Sequence, residues 1–200
     1  MTTPRGRPRG FDRSAALDRA LAEFWRHGYE ATSIARLTQA MRISPPSLYA
    51  AFGDKRALFS EAVERYAQTF GRYGTGALEE STARAAVERM LRGAAVEYTR
   101  PGHPPGCLLI NGAVNTSPAD EDIRVELRNR REAGKRAIAR KIDADVRAGL
   151  LPAGTDARRL ATFYAAVVQG MSTQACDGAG REDLDRVVDL AMAAWPDPPR

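Results

Sequence analysis

TSIARLTQAMRISPPSLYAAFGDKR, residues Thr32 to Arg56, carries two short helical patterns across a tight break. Ser33 stands where a helix cap belongs, its hydroxyl able to take a free backbone N–H of the first turn. Ile34, Leu37, Ala40 and Met41 recur at helical spacing and make one apolar stripe. Arg42, Ile43 and Ser44 interrupt it. Ser44 is a second cap, and Pro45 takes the first helical position, where a missing N–H costs nothing. Pro46 is still inside that first turn. The short helix through Phe52 stops at Gly53, and Asp54 caps a further helix that begins Lys55-Arg56. Two short helices across a tight break, the second presenting Ser, Pro and Tyr outward, make a helix-turn-helix. One helix braces and the other enters a major groove.

The charge is placed to match. Residues 1–56 hold ten Lys/Arg against five Asp/Glu, whereas residues 57–200 hold twenty of each. All the excess positive charge therefore falls on the segment read as a DNA reader, which is the footprint of phosphate binding. Ahead of it, TTPRGRPRG is too polar and too rich in Pro and Gly for a helix of its own. Arg5, Arg7 and Arg9 in this run are read as a flexible arm lying in the adjacent minor groove. In the reading helix, Ser44, Pro45, Pro46 and Ser47 are expected at base edges, Ser through hydrogen bonds and Pro through apolar contact such as a thymine methyl. Thr32, Tyr49 and Lys55 are read as phosphate contacts that fix register, with Arg42 beside them. Ser33 completes the candidate DNA-binding set.

From GYEATS (Gly28 to Ser33) through ISPPSLYAAFGDKRALF (Ile43 to Phe59), the sequence resembles the DNA-binding domain of the TetR/AcrR family of bacterial transcriptional regulators. The pattern G-Y-x-x-T-S, then S-L-Y-x-x-F-x-x-K and L-F, carries that resemblance. It implies an all-α protein: an N-terminal three-helix helix-turn-helix DNA-binding domain plus a C-terminal helical ligand-binding and dimerisation domain. It also implies a repressor released from DNA by a small molecule, with the last two helices pairing with their copies as a four-helix bundle. Pro46 stands where the family often has a small residue, so base preference is not carried over.

Outward from the motif, helical stripes continue. Leu17, Ala20, Leu21, Phe24 and Trp25 mark a first helix from Asp12 to His27. A linking helix is expected from Asp54 to about Tyr73, and another from Glu79 to about Tyr98. Cys107 to Asn115 is apolar and short. A lone strand there would expose its edges, so it is read as a helix. Pro118 to Arg147 forms a long charged helix, with Gly134 permitting a kink or a close approach. Asp156 to Cys176 and Glu182 to Trp195 close the chain. The expected total is about nine helices, with residues 1–56 as the DNA-binding domain and 57–200 as the second domain.

The second domain carries the remaining candidates. Tyr98, Cys107, Asn111, Phe163 and Tyr164 mix aromatic and polar groups suited to a ligand cavity. Arg124 and Arg131 are read as a solvated face, a ligand carboxylate being the rarer alternative. Phe163, Val167, Gly170, Met171, Val188 and Trp195 are the candidate dimer contacts. An alternative function places a thiol sensor of oxidants or electrophiles at Cys107, four residues after His103. An enzyme using that pair lacks a third orienting group, so no catalytic residue is assigned. No cofactor and no metal are expected, since the lone histidines have no ligand-spaced partners. The two cysteines do not make a disulfide framework. No 18-residue apolar window and no secretory signal are seen, which points to the cytoplasm and to no membrane partner. The expected partners are double-stranded DNA, a second copy of the chain and a small-molecule effector. A helical interaction module with an incidental basic head is the remaining rival.

Overall fold

A computed structural model of the chain describes residues 11–114 and 117–197. Among these residues every regular element is helical. α1 (Arg13–His27) begins at Asp12, whose carboxylate accepts the N–H groups of Ser14 and Ala15. α2 (Ile34–Met41) and α3 (Pro45–Phe52) are capped by Ser33 and Ser44 as their sequences require. α4 (Lys55–Gln68) starts at Asp54, which accepts from Ala57 N. Then follow α5 (Arg72–Ala77), α6 (Ala83–Tyr98) and α7 (Leu108–Asn111). A 3-10 turn at Pro118–Asp120 leads into α8 (Glu121–Arg147), α9 (Ala157–Cys176) and α10 (Arg181–Ala193).

The head is held by rings. Phe24 of α1 meets Phe59 of α4 edge-on at 5.0 Å, and Trp25 meets Tyr66 at 4.8 Å. Tyr29 closes on Phe59 at 5.1 Å. Ion pairs Arg13–Glu61 at 2.7 Å and Arg65–Asp18 at 2.8 Å flank this contact. Such half-exposed pairs contribute about 0–1 kcal/mol each, against about 1.5–3 kcal/mol for a fully buried large apolar side chain. Ring burial therefore sets how α1 sits on α4. In the rest of the molecule α9 packs against α6, α8 and α10. The little α7 touches α1, α4, α8 and α9.

Three expectations about the elements change. The linking helix does not run to Tyr73. It stops at Gln68, where Thr69 N and Gly71 N both turn onto the Tyr66 carbonyl, so a separate α5 follows. The helix expected over Cys107 to Asn115 is one turn, and at Gly112 an added Cβ would stand 2.6 Å from the Leu108 carbonyl oxygen. Gly134 lies within the unbroken α8 and makes no close approach among the described residues, where an added Cβ would meet nothing within 4 Å. The boundary at residue 56 falls in the first turn of α4, whose body packs against α1.

Asp145 is buried near the end of α8 and accepts Ala83 N at 2.6 Å, tying α8 to the start of α6. Removing the carboxylate strands a buried N–H. Asp145→Ala is expected to lower the free energy of unfolding by about 2 kcal/mol, with Asp145→Asn losing less. Urea denaturation followed by circular dichroism measures it, and an Ala variant as stable as the parent contradicts the role.

Candidate nucleic-acid interface and inner cavity

The turn between α2 and α3 is made by Arg42, the one non-glycine residue with positive φ among the described residues (φ 58°). In that left-handed conformation its N–H reaches the Gln39 carbonyl, and Ile43 N reaches that of Thr38. The Arg42 side chain is left in solvent. Ser44 Oγ accepts Ser47 N at 3.3 Å, and the two hydroxyls are 2.9 Å apart. Leu48 and Phe52 are buried beneath α3, while Ser44, Pro45, Pro46 and Tyr49 stand uncovered and Ser47 is half-buried. The structure thus leaves Ser44, Pro45, Pro46 and Tyr49 exposed along α3 and its cap, with Ser33 exposed at the start of α2. Arg5, Arg7 and Arg9 lie outside the described residues.

Thr32 is a correction. It is fully buried, and its Oγ1 donates to the Gly28 carbonyl at 2.6 Å. A side chain so enclosed does not reach a phosphate. It braces the end of α1 against the start of α2. Lys55 is half-buried, with Nζ 4.2 Å from the Tyr29 ring centre, and burial lowers its pKa. Its ammonium is thus positioned by a ring at the α4 N-terminus.

Residues of α4 to α9 line a cavity of about 460 Å³. Tyr98, Cys107 and Tyr164 of the candidate set are on its wall. Asn111 and Phe163 are not. The Asn111 amide is engaged by Ser172 Oγ and Cys176 Sγ, each at 3.1 Å, and Phe163 points outward from α9. Tyr66 and Tyr73 join the wall without having been anticipated. The hydroxyls of Tyr73 and Tyr98 are 2.7 Å apart. Burial pushes the pKa values of Tyr66, Tyr73 and Tyr98 well up, so all three stay protonated. Tyr164 donates to the Ala191 carbonyl at 3.0 Å, and burial lifts its pKa to about 12. Arg131 is also on the wall, whereas Arg124 pairs with Glu121 on the surface. His103 does not serve Cys107. Its ring stacks on Trp25 at 4.8 Å, and its Nδ1 lies 3.0 Å from the Pro104 carbonyl oxygen.

The two regions are latched together. Tyr29 N donates to the Gly112 carbonyl at 2.8 Å, directly after α7. Glu30 accepts Ser117 N at 3.3 Å, and Arg56 pairs with Asp122. Leu109 and Ile110 of α7 line the cavity, so the same turn faces the cavity and holds the head.

On the far side, α9 and α10 turn an apolar strip to solvent. Phe163 is 43% exposed, Val187 37% and Leu190 76%. Val167 lies partly exposed and Gly170 exposed on the same face of α9. Met171, Val188 and Trp195 are corrections to the dimer set. They are 1%, 0% and 6% exposed: Met171 and Val188 sit on the inward stripes of α9 and α10, and Trp195, just past the end of α10, packs on the Tyr164 ring at 5.5 Å. Leu190, absent from the expected contacts, is off that stripe, which was its signal in the sequence.

Comparison with known proteins agrees with both halves. A family model described as "Bacterial regulatory proteins, tetR family" matches residues 16–62, and one described as "Tetracyclin repressor-like, C-terminal domain" matches residues 83–188. The chain is 36% identical over 195 residues to the HTH-type transcriptional repressor ComR of Escherichia coli (strain K12), covering 96% of this chain and 93% of that protein. It is 30% identical over 197 residues to the repressor BdcR of the same organism, covering 94% and 91%. A solved structure of a cysteine mutant of the TetR family transcriptional regulator CifR, complexed with 26bp double-strand operator DNA, superposes with a TM-score of 0.90. That protein is 44% identical, and the match covers 95% of this chain and 100% of it. A buried-core helix-turn-helix, an all-helical second domain and end-to-end similarity to named repressors converge: the chain belongs to the TetR family of bacterial regulatory proteins.

Proposed function

We propose that the protein is a homodimeric, DNA-binding transcriptional repressor of the bacterial cytoplasm. It grips a palindromic operator and releases it when a small molecule fills the inner cavity. The observation that carries this reading is α3, anchored by Leu48 and Phe52, with Pro45, Pro46 and Tyr49 uncovered on its outer side. That the 44% identical CifR was solved with 26bp double-strand operator DNA supports operator binding by this chain. One such helix touches few bases, and a two-fold dimer doubles the contact by reading two half-sites about one helical turn apart. The exposed strip of Phe163, Val187 and Leu190 supports pairing through α9 and α10. Release is a population shift: a ligand that binds better when α7 moves favours heads set at another spacing. The bond from Tyr29 N to the Gly112 carbonyl carries that movement to α1.

A second reading is favoured by one observation, that Cys107 is a free thiol on the cavity wall. An electrophilic effector entering the cavity would meet it. If Cys107→Ser responds to every effector as the parent does, this second reading is removed.

Selection of bound duplexes from a random pool at physiological salt is expected to return a palindrome. Tyr49→Phe and Lys55→Ala should weaken binding to all sequences, by roughly tenfold for Lys55→Ala, with a salt slope about one unit shallower. Changes at Pro45 or Ser47 should alter the consensus instead. A pool with no enrichment sinks the assignment of α3. Leu190→Arg is expected to yield monomers in sedimentation, with operator affinity down at least tenfold, because the charge has no partner in an apolar contact. A dimeric Leu190→Arg protein would place the pairing elsewhere.

A further inference from the structure

Most polar groups on the cavity wall already have partners. The Tyr73 and Tyr98 hydroxyls meet each other, and the Tyr164 hydroxyl donates to the Ala191 carbonyl. Arg130 is paired with Glu64 at 3.3 Å and Glu126 at 3.4 Å, and Lys135 with Glu132 at 2.7 Å. Arg131 differs. It projects from the middle of α8 into the wall and donates from Nη1 to the Leu109 carbonyl of α7. Among the described residues it forms no ion pair with a carboxylate, unlike Arg130 and Lys135 beside it. Burial lowers its pKa, as expected of a cation that has lost water without gaining a counter-ion. A guanidinium has five N–H donors in a planar fork that fits a carboxylate with two parallel bonds. Around it the wall is apolar, with Met90, Leu109, Ile110, Ile138 and Val168.

We propose that the cavity takes a compact organic acid, its apolar body between Met90, Ile138 and Val168 and its single carboxylate on the Arg131 guanidinium. This rests on the reading of the cavity as the effector site, and it adds a cause for release. The acid draws on the group that holds the Leu109 carbonyl, and Leu109 is three residues before the Gly112 carbonyl that holds the head. Binding and loosening of α7 are then one event.

The test uses the full chain and four probes: 4-phenylbutyrate and octanoate, against their uncharged amides 4-phenylbutyramide and octanamide. Acetate serves as the charge without a body. The midpoint of thermal unfolding is followed against probe concentration, because a ligand of the folded state raises it by mass action. The acids are expected to act at about tenfold lower concentration than the amides, the discrimination a charge-assisted pair provides. Acetate should do nothing. Arg131→Gln should erase the gap between acid and amide, Arg131→Lys should restore part of it, and Val168→Trp should block both probes. Equal action of acid and amide on the parent, an acid preference that survives Arg131→Gln, or no shift with either acid overturns the proposal. Operator release measured on the same samples separates the two readings. Amides that release the operator and are blocked by Val168→Trp leave the effector cavity standing and remove the acid. Acids that bind through Arg131 yet leave the operator bound uphold the ligand class and remove the release.

Discussion

One helix with one apolar face serves two cores. α4 buries Leu58, Phe59, Ala62 and Val63 against the head and Tyr66 beside the cavity, each at most 1% exposed. Nothing on that face is free to slide without uncovering a ring. The position of the reading head is therefore fixed by packing more than by the ion pairs around it, which are partly exposed and individually weak. The α7 latch works against this background: it holds a head already made rigid.

The break after α4 is part of the same design. If the helix had continued to Tyr73, that ring would have followed the path of α4. Because the chain turns at Thr69 to Gly71, α5 instead lays Tyr73 over Gly93 of α6, where an added Cβ would stand 2.7 Å from the Tyr73 Cβ. The ring then meets Tyr98 edge-on at 5.8 Å, and the two hydroxyls pair. A loss of helix continuity thereby supplies a polar end to an apolar cavity.

The head was legible in the sequence because its signals are local. Asp12, Ser33, Ser44 and Asp54 cap helices within their own first turns, and of the α1 stripe Ala20, Leu21, Phe24 and Trp25 are buried while Leu17 is only partly so. The cavity was legible only in part. Tyr98, Cys107 and Tyr164 line it, but Asn111 and Phe163 do not, since mixed aromatic and polar character does not say which way a residue turns. Periodicity reports which residues share a face and stays silent about what covers that face. Met171, Val188 and Trp195 thus looked like Phe163 in sequence, and only tertiary packing separates inner from outer stripe. Arg131 was read as solvated for the same reason: on a helix as charged as α8, an arginine turned to the cavity without an acidic partner carries no local mark. Thr32 looked like a surface hydroxyl because its partner, the Gly28 carbonyl, is made available only when α1 ends.

α4 is also a lever. Its fourteen residues span about 20 Å at 1.5 Å per residue. Tyr66 lies near one end, beside the cavity, and Lys55 at the other, beside α3. A tilt of about 6° about the cavity end displaces the far end by about 2 Å over that length. That is comparable to the difference between a hydrogen bond to phosphate and none. A displacement too small to disturb the core around the ligand is thus enough, at the reach of one helix, to decide whether a contact with DNA is made.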